Sequence, residues 1–565
     1  MTMNKIILKS IGLLAVLALG TSCIQETFPE GGTVTESQVS ANPNALLAMA
    51  NAIPVNMVTS YTGGWDYDHW CFGIGSLHIA TDEMLGDQAT MGDNPYYNRY
   101  YAWAMDRSQG STYVFSAYFW EVYYMWIKNC NDIIGAVDPE TATEDALKAL
   151  GTAYAYRASF YLDLARLYEP KAPRDTYEGY DVSKVLGLTV PIVTEETTET
   201  EAANNPRVPH DDMYEFILSD LKKAEEYLAN IKTGYTSPTI YAVYGLYART
   251  YLEMGAYCQD NGESKASEYY ANAAKYAKLV IDESGKTPLN QTQWEDPVNG
   301  FNSGSSNNSW IWGLTVSTQV IGNIITYTAM MSNEATFGYA PHVKRGIDRK
   351  LYESIPDSDF RKHSWLDPDL DVYYKYQIAG KAEDVKAFWK DVAMPYLSLK
   401  FRANKGLVND DTDGNNADVL LMRIEEMYFI QAEAMAQNGD ISGAQTVLNS
   451  LINTRDPQYS FNPSSKRAFL KEMLRQKRVE FWGEGIVFFD YKRLDFGFAR
   501  GYEGSNHAPV YMYNCHGRSP QWNLVITRTE SQSNNAINED NNNPDPSNLL
   551  KLWPSEWKDT EWVDD

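Results

Sequence analysis

Apolar residues recur at helical spacing along most of this chain, and this pattern predicts a mostly helical protein. In residues 112–136 and 143–168 the apolar positions fall three or four residues apart, which places them on one face of a helix. The same spacing continues in 211–230, 238–256, 265–284, 421–438, 440–455 and 465–483. Pro238 suits a first helical turn, and Gly439 stands between two of these segments as a helix stop.

The predicted helices come in pairs, and each pair is long enough to bury an apolar stripe against its neighbour. Paired antiparallel helices of this length resemble tetratricopeptide-type units, although the distance between pairs is irregular. Stacked pairs build a curved helical scaffold. Long stretches without helical spacing separate the pairs, at 54–111, 285–350, 356–420 and 495–565. Loops this long are uncommon unless they carry function, so we predict a helical scaffold with a ligand-binding loop face.

The N-terminus has the pattern of a secretory signal. Lys5 and Lys9 give a basic start, residues 11–19 are almost wholly apolar, and the small residues 20–22 lead to Cys23. This segment resembles a bacterial lipoprotein signal, in which the cysteine becomes the acylated N-terminus. It departs from the strict motif in one respect, because Gly stands where Leu is preferred, three residues before the cysteine. The alternative is the cleaved signal of a soluble exported protein.

These features divide the chain into three parts. Residues 1–22 form the predicted lipoprotein signal peptide, and residues 23–44 form a lipidated N-terminus and a polar tether. Residues 45–565 show no Pro-rich or Ser-rich linker, so we predict one large domain. No other apolar run in the chain is long enough to cross a bilayer. The lipid would therefore hold the protein on a membrane while the domain stays in water.

The composition excludes some classes of binding partner but does not identify the ligand. The formal net charge is −26 at pH 7, which argues against binding nucleic acid or acidic lipid surfaces. Tyr and Trp are abundant, at 40 and 15 residues, and their flat apolar faces with polar edges suit both sugar stacking and helix packing. The cysteines other than Cys23 are far apart, so disulfides and buried thiols both remain open. They are Cys71, Cys130, Cys258 and Cys515.

Several collinear segments carry a family resemblance. The segment 474–497, LRQKRVEFWGEGIVFFDYKRLDFG, runs from a basic helix into Glu-Gly and then an apolar-Asp-x-x-Arg stretch. Together these segments resemble the SusD/RagB family of outer-membrane lipoproteins of Bacteroidetes. The others are 187–194 (GLTVPIVT), 206–228, 238–255, 423–440 with its Ala-Glu-Ala centre, and 448–456.

The resemblance implies a mostly helical fold with a tetratricopeptide-like back. It also implies a surface-exposed nutrient-binding lipoprotein of the outer membrane, partnered with a TonB-dependent transporter barrel of the SusC-like kind. The usual cargo of the family is an oligosaccharide or polysaccharide, and some relatives handle peptides. No cofactor is implied.

The predicted ligand site lies mainly in the loop 61–103, which combines aromatic platforms with polar groups for vicinal hydroxyls. The resemblance also points to this part of the chain. A second region, 285–345, contributes two further candidates on or beyond a short predicted strand. The resemblance implies that Trp294 in this region packs in the core. The predicted ligand-binding residues are Trp65, Asp66, Trp70, Asp93, Asn94, Tyr96, Tyr97, Arg99, Trp312 and Tyr327.

Two carboxylate groupings have a chemical and a structural interpretation. Glu480, Glu484, Asp490 and Arg493 could form a catalytic cluster, but we favour an ion-pair network that fixes the last helices. Residues 409–418 resemble half a calcium loop but lack the final carboxylate, so a solvated acidic turn is favoured over a structural calcium site. Asp82 is expected to be structural.

Metal chemistry has weak support in the sequence. Asp66, Asp68, His69 and His78 are close in sequence, but no helical His-x-x-x-His or Glu partner accompanies them. The chain has no Gly-x-Ser-x-Gly elbow, Walker loop or dinucleotide fingerprint.

The leading hypothesis is a non-catalytic glycan-binding lipoprotein that delivers oligosaccharide to an outer-membrane transporter. A peptide-binding member of the same family is the nearest alternative. A surface glycoside hydrolase is an alternative of another class and would need two facing carboxylates at about 5–9 Å. A purely structural scaffold would bind no small ligand. The sequence does not name the glycan, its linkage or its length.

Overall fold

The predicted helical pairs are present in the computed structural model. The structure describes residues 43–59, 71–91, 108–316, 326–335, 341–370, 383–408 and 410–553. About half of the described residues are helical, and the strands among them are few and short. The mostly helical fold class predicted from hydrophobic spacing is therefore confirmed.

The described residues form seventeen α-helices and six short strands. In chain order the helices are α1 (Pro43–Met57), α2 (Ile74–Glu83), α3 (Val114–Ala136), α4 (Glu144–Tyr168), α5 (Glu199–Ala202), α6 (His210–Leu228), α7 (Ile240–Asp260), α8 (Ala266–Glu283), α9 (Gln291–Glu295), α10 (Tyr327–Met331), α11 (Arg349–Glu353), α12 (Glu383–Val392), α13 (Ile424–Gln437), α14 (Ile441–Ile452), α15 (Lys466–Glu480), α16 (Val487–Leu494) and α17 (Arg528–Ser533). The strands are β1 (Gln88–Met91), β2 (Trp310–Leu314), β3 (Lys344–Ile347), β4 (Val419–Arg423), β5 (Phe498–Ala499) and β6 (Asn514–Cys515).

The long helices pack in a continuous series. α3 packs on α4, α4 on α6, α6 on α7, α7 on α8, α8 on α13, and α13 on both α14 and α15. Apolar stripes spaced for a helix bury the shared faces, as where Trp126 of α3 meets Phe160 of α4 with ring centroids 5.3 Å apart. This series is the tetratricopeptide-like back that the sequence predicts.

Local signals explain where these helices begin. The Thr143 side chain accepts a hydrogen bond from the Ala146 N–H, and Glu144 and Asp145 occupy the positive end of α4. Asp440 caps α14 in the same way by accepting from the Gly443 N–H. Gly439, at φ 94°, makes the sharp turn between α13 and α14.

The predicted helix 465–483 is shorter than expected. α15 ends at Glu480, and α16 begins only at Val487. Gly483 and Gly485 lie between them at φ 81° and φ 76°, a left-handed backbone that ends a helix. A Cβ atom at Gly483 would lie 2.3 Å from the Phe401 ring, so the chain turns where no side chain fits.

Some regions that lack helical spacing still contain regular structure. α2 and β1 lie within the predicted irregular stretch 54–111, and the first two residues of α1 belong to the predicted tether. The first three residues of the predicted helix 421–438 belong to β4. Short buried elements escape a periodicity criterion because one or two turns do not establish a period.

The strands pair segments that are far apart in sequence. β1 pairs antiparallel with β3, with Gln88 opposite Ile347 and Met91 opposite Lys344. β2 pairs with β4, and β5 pairs with β6, both antiparallel. These small ladders attach the irregular regions to one another and to the helical scaffold.

The described residues also bear on membrane crossing and on the state of the cysteines. None of their helices has the length and apolar character needed to cross a bilayer. Cys71, Cys130, Cys258 and Cys515 are buried thiols, so the disulfide alternative is not realised among them.

Candidate functional site

Most of the predicted ligand-binding residues lie outside the described residues. Only the segment 71–91 of the predicted ligand loop 61–103 is described, as α2, β1 and their connections. The ligand-binding role of the loop aromatics and their polar neighbours therefore stays a prediction. The residues concerned are Trp65, Asp66, Trp70, Asp93, Asn94, Tyr96, Tyr97 and Arg99.

Trp312 lies in the interior of the protein. It belongs to β2, its exposed fraction is 1%, and its ring packs against Tyr156 with centroids 4.9 Å apart. The alternation of Trp310 and Trp312 predicts a strand, which is confirmed, but both faces of this strand are buried. This burial argues against ligand contact by Trp312.

Tyr327 is also a core residue. It is the first residue of α10, its exposed fraction is 7%, and its ring stands edge-on to Phe401 with centroids 5.4 Å apart. Its hydroxyl donates to the Gly483 carbonyl oxygen, and burial raises the pKa of the phenol well above its usual value. Both the apolar face and the polar edge are thus satisfied by the protein, which argues against a ligand role.

The described part of the predicted ligand loop, with α2 and β1, pairs with β3, and we call these three elements the loop platform. The β1–β3 ladder places residue 91 opposite Lys344. Residue 91 immediately precedes the undescribed segment 92–107, and Lys344 follows the undescribed segment 336–340 by a few residues. An isolated bridge joins Gly346 of β3 to Leu397. The stems of separate irregular regions are therefore held together at one ladder, which lets distant segments contribute to one surface.

Buried polar bonds lock the loop platform to the scaffold. Asp82 accepts hydrogen bonds from the Gly485 N–H at 3.0 Å and from Gln88 Nε2 at 3.2 Å. Burial raises the pKa of this carboxyl well above its usual value. Glu83 forms a buried ion pair with Arg345 of β3. The structural role predicted for Asp82 is confirmed.

Gly485 allows α2 to approach the scaffold closely. A Cβ atom at this position would lie 2.5 Å from the Cα atom of His78 on α2, and the residue has φ 76°. Only glycine tolerates both the backbone conformation and this contact. The Glu-Gly pair of the signature segment thus joins the loop platform to the last helices.

Glu480 is the centre of a buried ionic cluster. Its carboxylate contacts Arg361 Nη1 at 3.0 Å, Arg423 Nη1 at 2.7 Å and Arg455 Nη2 at 2.8 Å. Burial alone would raise the pKa of this carboxyl, but the three guanidinium groups outweigh burial and hold the pKa well below its usual value. Glu484 extends the cluster to Arg423 at 2.9 Å and to Lys400.

A second cluster surrounds Arg493. Its guanidinium contacts both oxygens of Glu433 at 2.8 Å, Glu253 Oε1 at 2.8 Å, and Asp490. Lys477 contacts Asp490 at 2.8 Å. The predicted ion-pair network is confirmed, because these carboxylates are buried and compensated by basic groups. Such an arrangement fixes helices and offers no accessible acid–base pair to a substrate.

Three basic residues that hold buried carboxylates are not among those predicted from the sequence. Arg345, Lys400 and Arg423 each place a charge in the interior and bind carboxylates from distant segments. A signal for two of them exists in the sequence, because Lys400 lies between Leu399 and Phe401, and Arg423 between Met422 and Ile424. A basic residue flanked on both sides by large apolar residues indicates burial with a charged partner.

The acidic stretch 410–418 is an acidic turn closed on itself. Asp410 Oδ1 accepts hydrogen bonds from the Thr412 N–H at 2.9 Å, the Thr412 hydroxyl at 2.7 Å and the Asp413 N–H at 3.0 Å. In the part of the chain that the structure describes, no group of three or more His, Cys, Asp or Glu side chains is placed to hold a metal ion. Asp66, Asp68 and His69 lie outside that part.

Comparison with known families agrees with this architecture. Residues 348–562 match the model described as the SusD family, and residues 74–252 match the model described as starch-binding associating with outer membrane. The two ranges follow one another along the chain and together cover most of it. The protein is thus a helical scaffold protein with an elaborated loop face, and it belongs to the SusD-like family.

Similar proteins show the same relationship. A SusD-like protein of Formosa agariphila is 21% identical over 402 residues, covering 66% of this chain and 72% of the relative. The structure of a SusD-like carbohydrate binding protein from Bacteroides vulgatus superposes with a TM-score of 0.65 at 20% identity, covering 88% of this chain and 98% of the other. A SusD superfamily protein from Bacteroides thetaiotaomicron gives 0.64 at 20% identity, with 89% and 100% coverage. These likenesses show the fold.

Proposed function

We propose that this protein is a non-catalytic glycan-binding lipoprotein of the outer-membrane surface. In this proposal Cys23 carries the lipid, the loop face captures an oligosaccharide or polysaccharide, and a SusC-like TonB-dependent transporter receives it. The observation that carries the proposal is family membership, because two family models match and one is described as starch-binding associating with outer membrane.

The chemistry of the predicted ligand loop supports a neutral glycan. Trp65, Trp70, Tyr96 and Tyr97 offer flat apolar faces on which the C–H faces of sugar rings stack. Asp93, Asn94 and Arg99 supply groups that accept and donate hydrogen bonds to vicinal hydroxyls. The loop platform gives such a loop rigid stems, and rigid stems reduce the entropy that ligand binding has to overcome.

The domain organisation belongs to the same proposal. We treat residues 45–565 as one domain because long-range contacts join its ends. The Trp522 indole N–H donates to the Met84 carbonyl at 3.1 Å, and the Trp482 indole N–H donates to the Asp87 carbonyl at 2.9 Å. Limited proteolysis that released two stable fragments would contradict this assignment.

The test is a glycan array followed by calorimetric titration of single alanine variants. Trp65→Ala, Trp70→Ala, Tyr96→Ala and Tyr97→Ala should each weaken binding of the best glycan. Loss of a stacked aromatic ring is worth about 1–3 kcal/mol, which corresponds to roughly tenfold to a hundredfold in affinity. Tyr113→Ala is a matched control, since this tyrosine is 41% exposed and lies outside the predicted site.

Each variant must keep the wild-type melting temperature, so that weakened binding reports the ligand contact. Wild-type affinity in all four loop variants would show that the site lies elsewhere. Peptides on the same array test the peptide-binding alternative, and a hydrolysis assay on a polysaccharide panel tests the glycosidase alternative. Co-migration with a TonB-dependent transporter on a native gel tests the delivery step.

A further inference from the structure

A broad groove lies outside the predicted ligand loop. It encloses a volume of about 900 Å³ between α3, the segment 191–205 and α17. Its polar and aromatic lining includes Glu121, Tyr124, Thr200, Asn204, Thr529 and Ser533. None of these residues belongs to the predicted ligand-binding set or to the ionic clusters.

The aromatic floor of this groove is fixed by its polar edges. The Tyr124 hydroxyl donates to the Pro191 carbonyl at 2.7 Å, and the Trp120 indole N–H donates to Glu530 Oε2 at 3.1 Å. The two rings pack with centroids 4.8 Å apart, Trp120 being buried and Tyr124 partly exposed. Because both polar edges are bound by the protein, Tyr124 presents apolar ring surface to the groove.

The polar wall is also held in place. Asn534 accepts from the Asn205 N–H at 3.0 Å and donates both to the Asn205 carbonyl at 2.6 Å and to Glu530 Oε1 at 2.9 Å. The Thr529 hydroxyl donates to Glu121 Oε1 at 3.2 Å. A wall fixed in this way loses little conformational entropy when a ligand binds.

The acidic lining of the groove favours neutral ligands over anionic ones. Glu121, Glu199 and Glu530 line the groove, and none of the described residues that line it is Lys, Arg or His. Such a lining repels anions, including uronate-bearing sugars. Carboxylate, amide and hydroxyl groups instead suit a neutral ligand rich in hydroxyl groups, which both donates and accepts.

We propose that this groove is a second binding site for neutral oligosaccharide, with Tyr124 as its stacking surface and Asn204 and Ser533 on its polar rim. The inference rests on the proposed function, because it assumes that the protein meets glycan at the cell surface. A second site on the same chain would raise the avidity for a long polysaccharide.

The test isolates the groove from the predicted ligand loop. The full chain, purified in detergent, carries Trp65→Ala and Trp70→Ala and is titrated by calorimetry with neutral gluco-, galacto- and manno-configured hexasaccharides. We expect residual binding by this background variant. Adding Tyr124→Ala should weaken the residual binding about tenfold or more, whereas Tyr124→Phe, which keeps the ring, should leave it nearly unchanged.

A matched pair of charge variants keeps the groove testable even if Tyr124→Ala fails to fold. Ser533→Arg places a long side chain in the groove and should abolish residual binding, while Gln532→Arg, next to it on α17 but outside the lining, should not. Both positions are exposed, so both variants should keep the wild-type melting temperature.

The outcomes separate the two proposals. Absence of hexasaccharide binding in the wild-type chain overturns the groove, whereas the proposed function is overturned only if the glycan array also shows no binding. Wild-type binding that disappears entirely in the Trp65→Ala, Trp70→Ala background leaves the proposed function standing and overturns the groove. Residual binding that Ser533→Arg does not change also overturns the groove. Residual binding lost in Ser533→Arg and kept in Gln532→Arg supports it.

Discussion

The guanidinium of Arg493 joins three helices at one point. It contacts Glu433 on α13, Glu253 on α7 and Asp490 on its own helix, α16. The side chain is 4% exposed, so water cannot replace these contacts if one partner is removed. Removing one member of such a cluster leaves uncompensated buried charges.

Arg493→Ala should therefore lower the free energy of unfolding by roughly 3–5 kcal/mol while ligand affinity of the folded protein barely changes. Urea titration measures the first effect and calorimetric glycan titration the second. Lys128→Ala is the control, because its ion pair with Asp132 is exposed at 71% and 44% and should contribute less than about 1 kcal/mol. Normal stability with abolished binding would place the ligand site at this cluster.

At the scale of residues, the sequence predicts the ionic network better than the ligand contacts. Glu480 and Arg493 stand out because both belong to the signature segment 474–497, in which the resemblance groups carboxylates with basic residues. The ring of Trp312 gives no such signal, since a tryptophan in a short strand suits a core and a binding platform equally. Its burial depends on Tyr156, far away in the sequence, and only the fold brings the two together.

The junction of α4 and α6 is held by one carboxylate. Glu169, directly after α4, contacts His210, the first residue of α6, at 2.9 Å and Lys171 at 3.4 Å. Burial raises the pKa of Glu169, but Lys171 and His210 outweigh it and lower the pKa to about 2. The unfolded chain has its ordinary pKa near 4.3. The folded protein therefore stabilises the ionised form of Glu169 more than the unfolded chain does.

The sign of the pH dependence follows from this depressed pKa. The stabilisation is present above about pH 4.3 and is lost as the pH falls toward 2, and its full size is roughly 3 kcal/mol. Glu169→Gln should lower the free energy of unfolding at pH 7 by about this amount, and the gap to wild type should narrow at pH 3. Urea titrations at both pH values measure it. A gap independent of pH would show that ionisation of Glu169 does not stabilise the junction.

At the scale of elements, long helices are predictable and short ones are not. The apolar spacing of 143–168 and 211–230 places α4 and α6 within two residues of their observed ends. α2 escapes detection because it is buried on nearly all sides and shows no polar face. The end of α15 depends on Gly483 and on its contact with Phe401, which hydrophobic spacing does not encode.

At the scale of the whole molecule, collinear motifs predict the family and the scaffold. The residues of the signature 474–497 have structural roles. Glu480 and Glu484 form ion pairs with buried Arg423, and Gly485 allows α2 to pack closely against this segment. The long-range pairing of the irregular regions is less predictable, because the β1–β3 ladder joins segments that are far apart in sequence. A pairing of residues 88–91 with 344–347 is not visible in either segment alone.

The proposed lipid anchor belongs to the scale of the whole molecule, because it would set the compartment in which the protein acts. Cys23→Ala removes the thiol that acylation requires, and each lost methylene in the bilayer is worth about 0.8 kcal/mol. The variant should fold normally yet leave the membrane fraction after a carbonate wash. Cys258→Ala is the control, since this thiol is buried and should not affect fractionation. N-terminal mass measurement confirms signal removal, and a processed Cys23→Ala protein that stays with the membrane would show that lipidation is not the anchor.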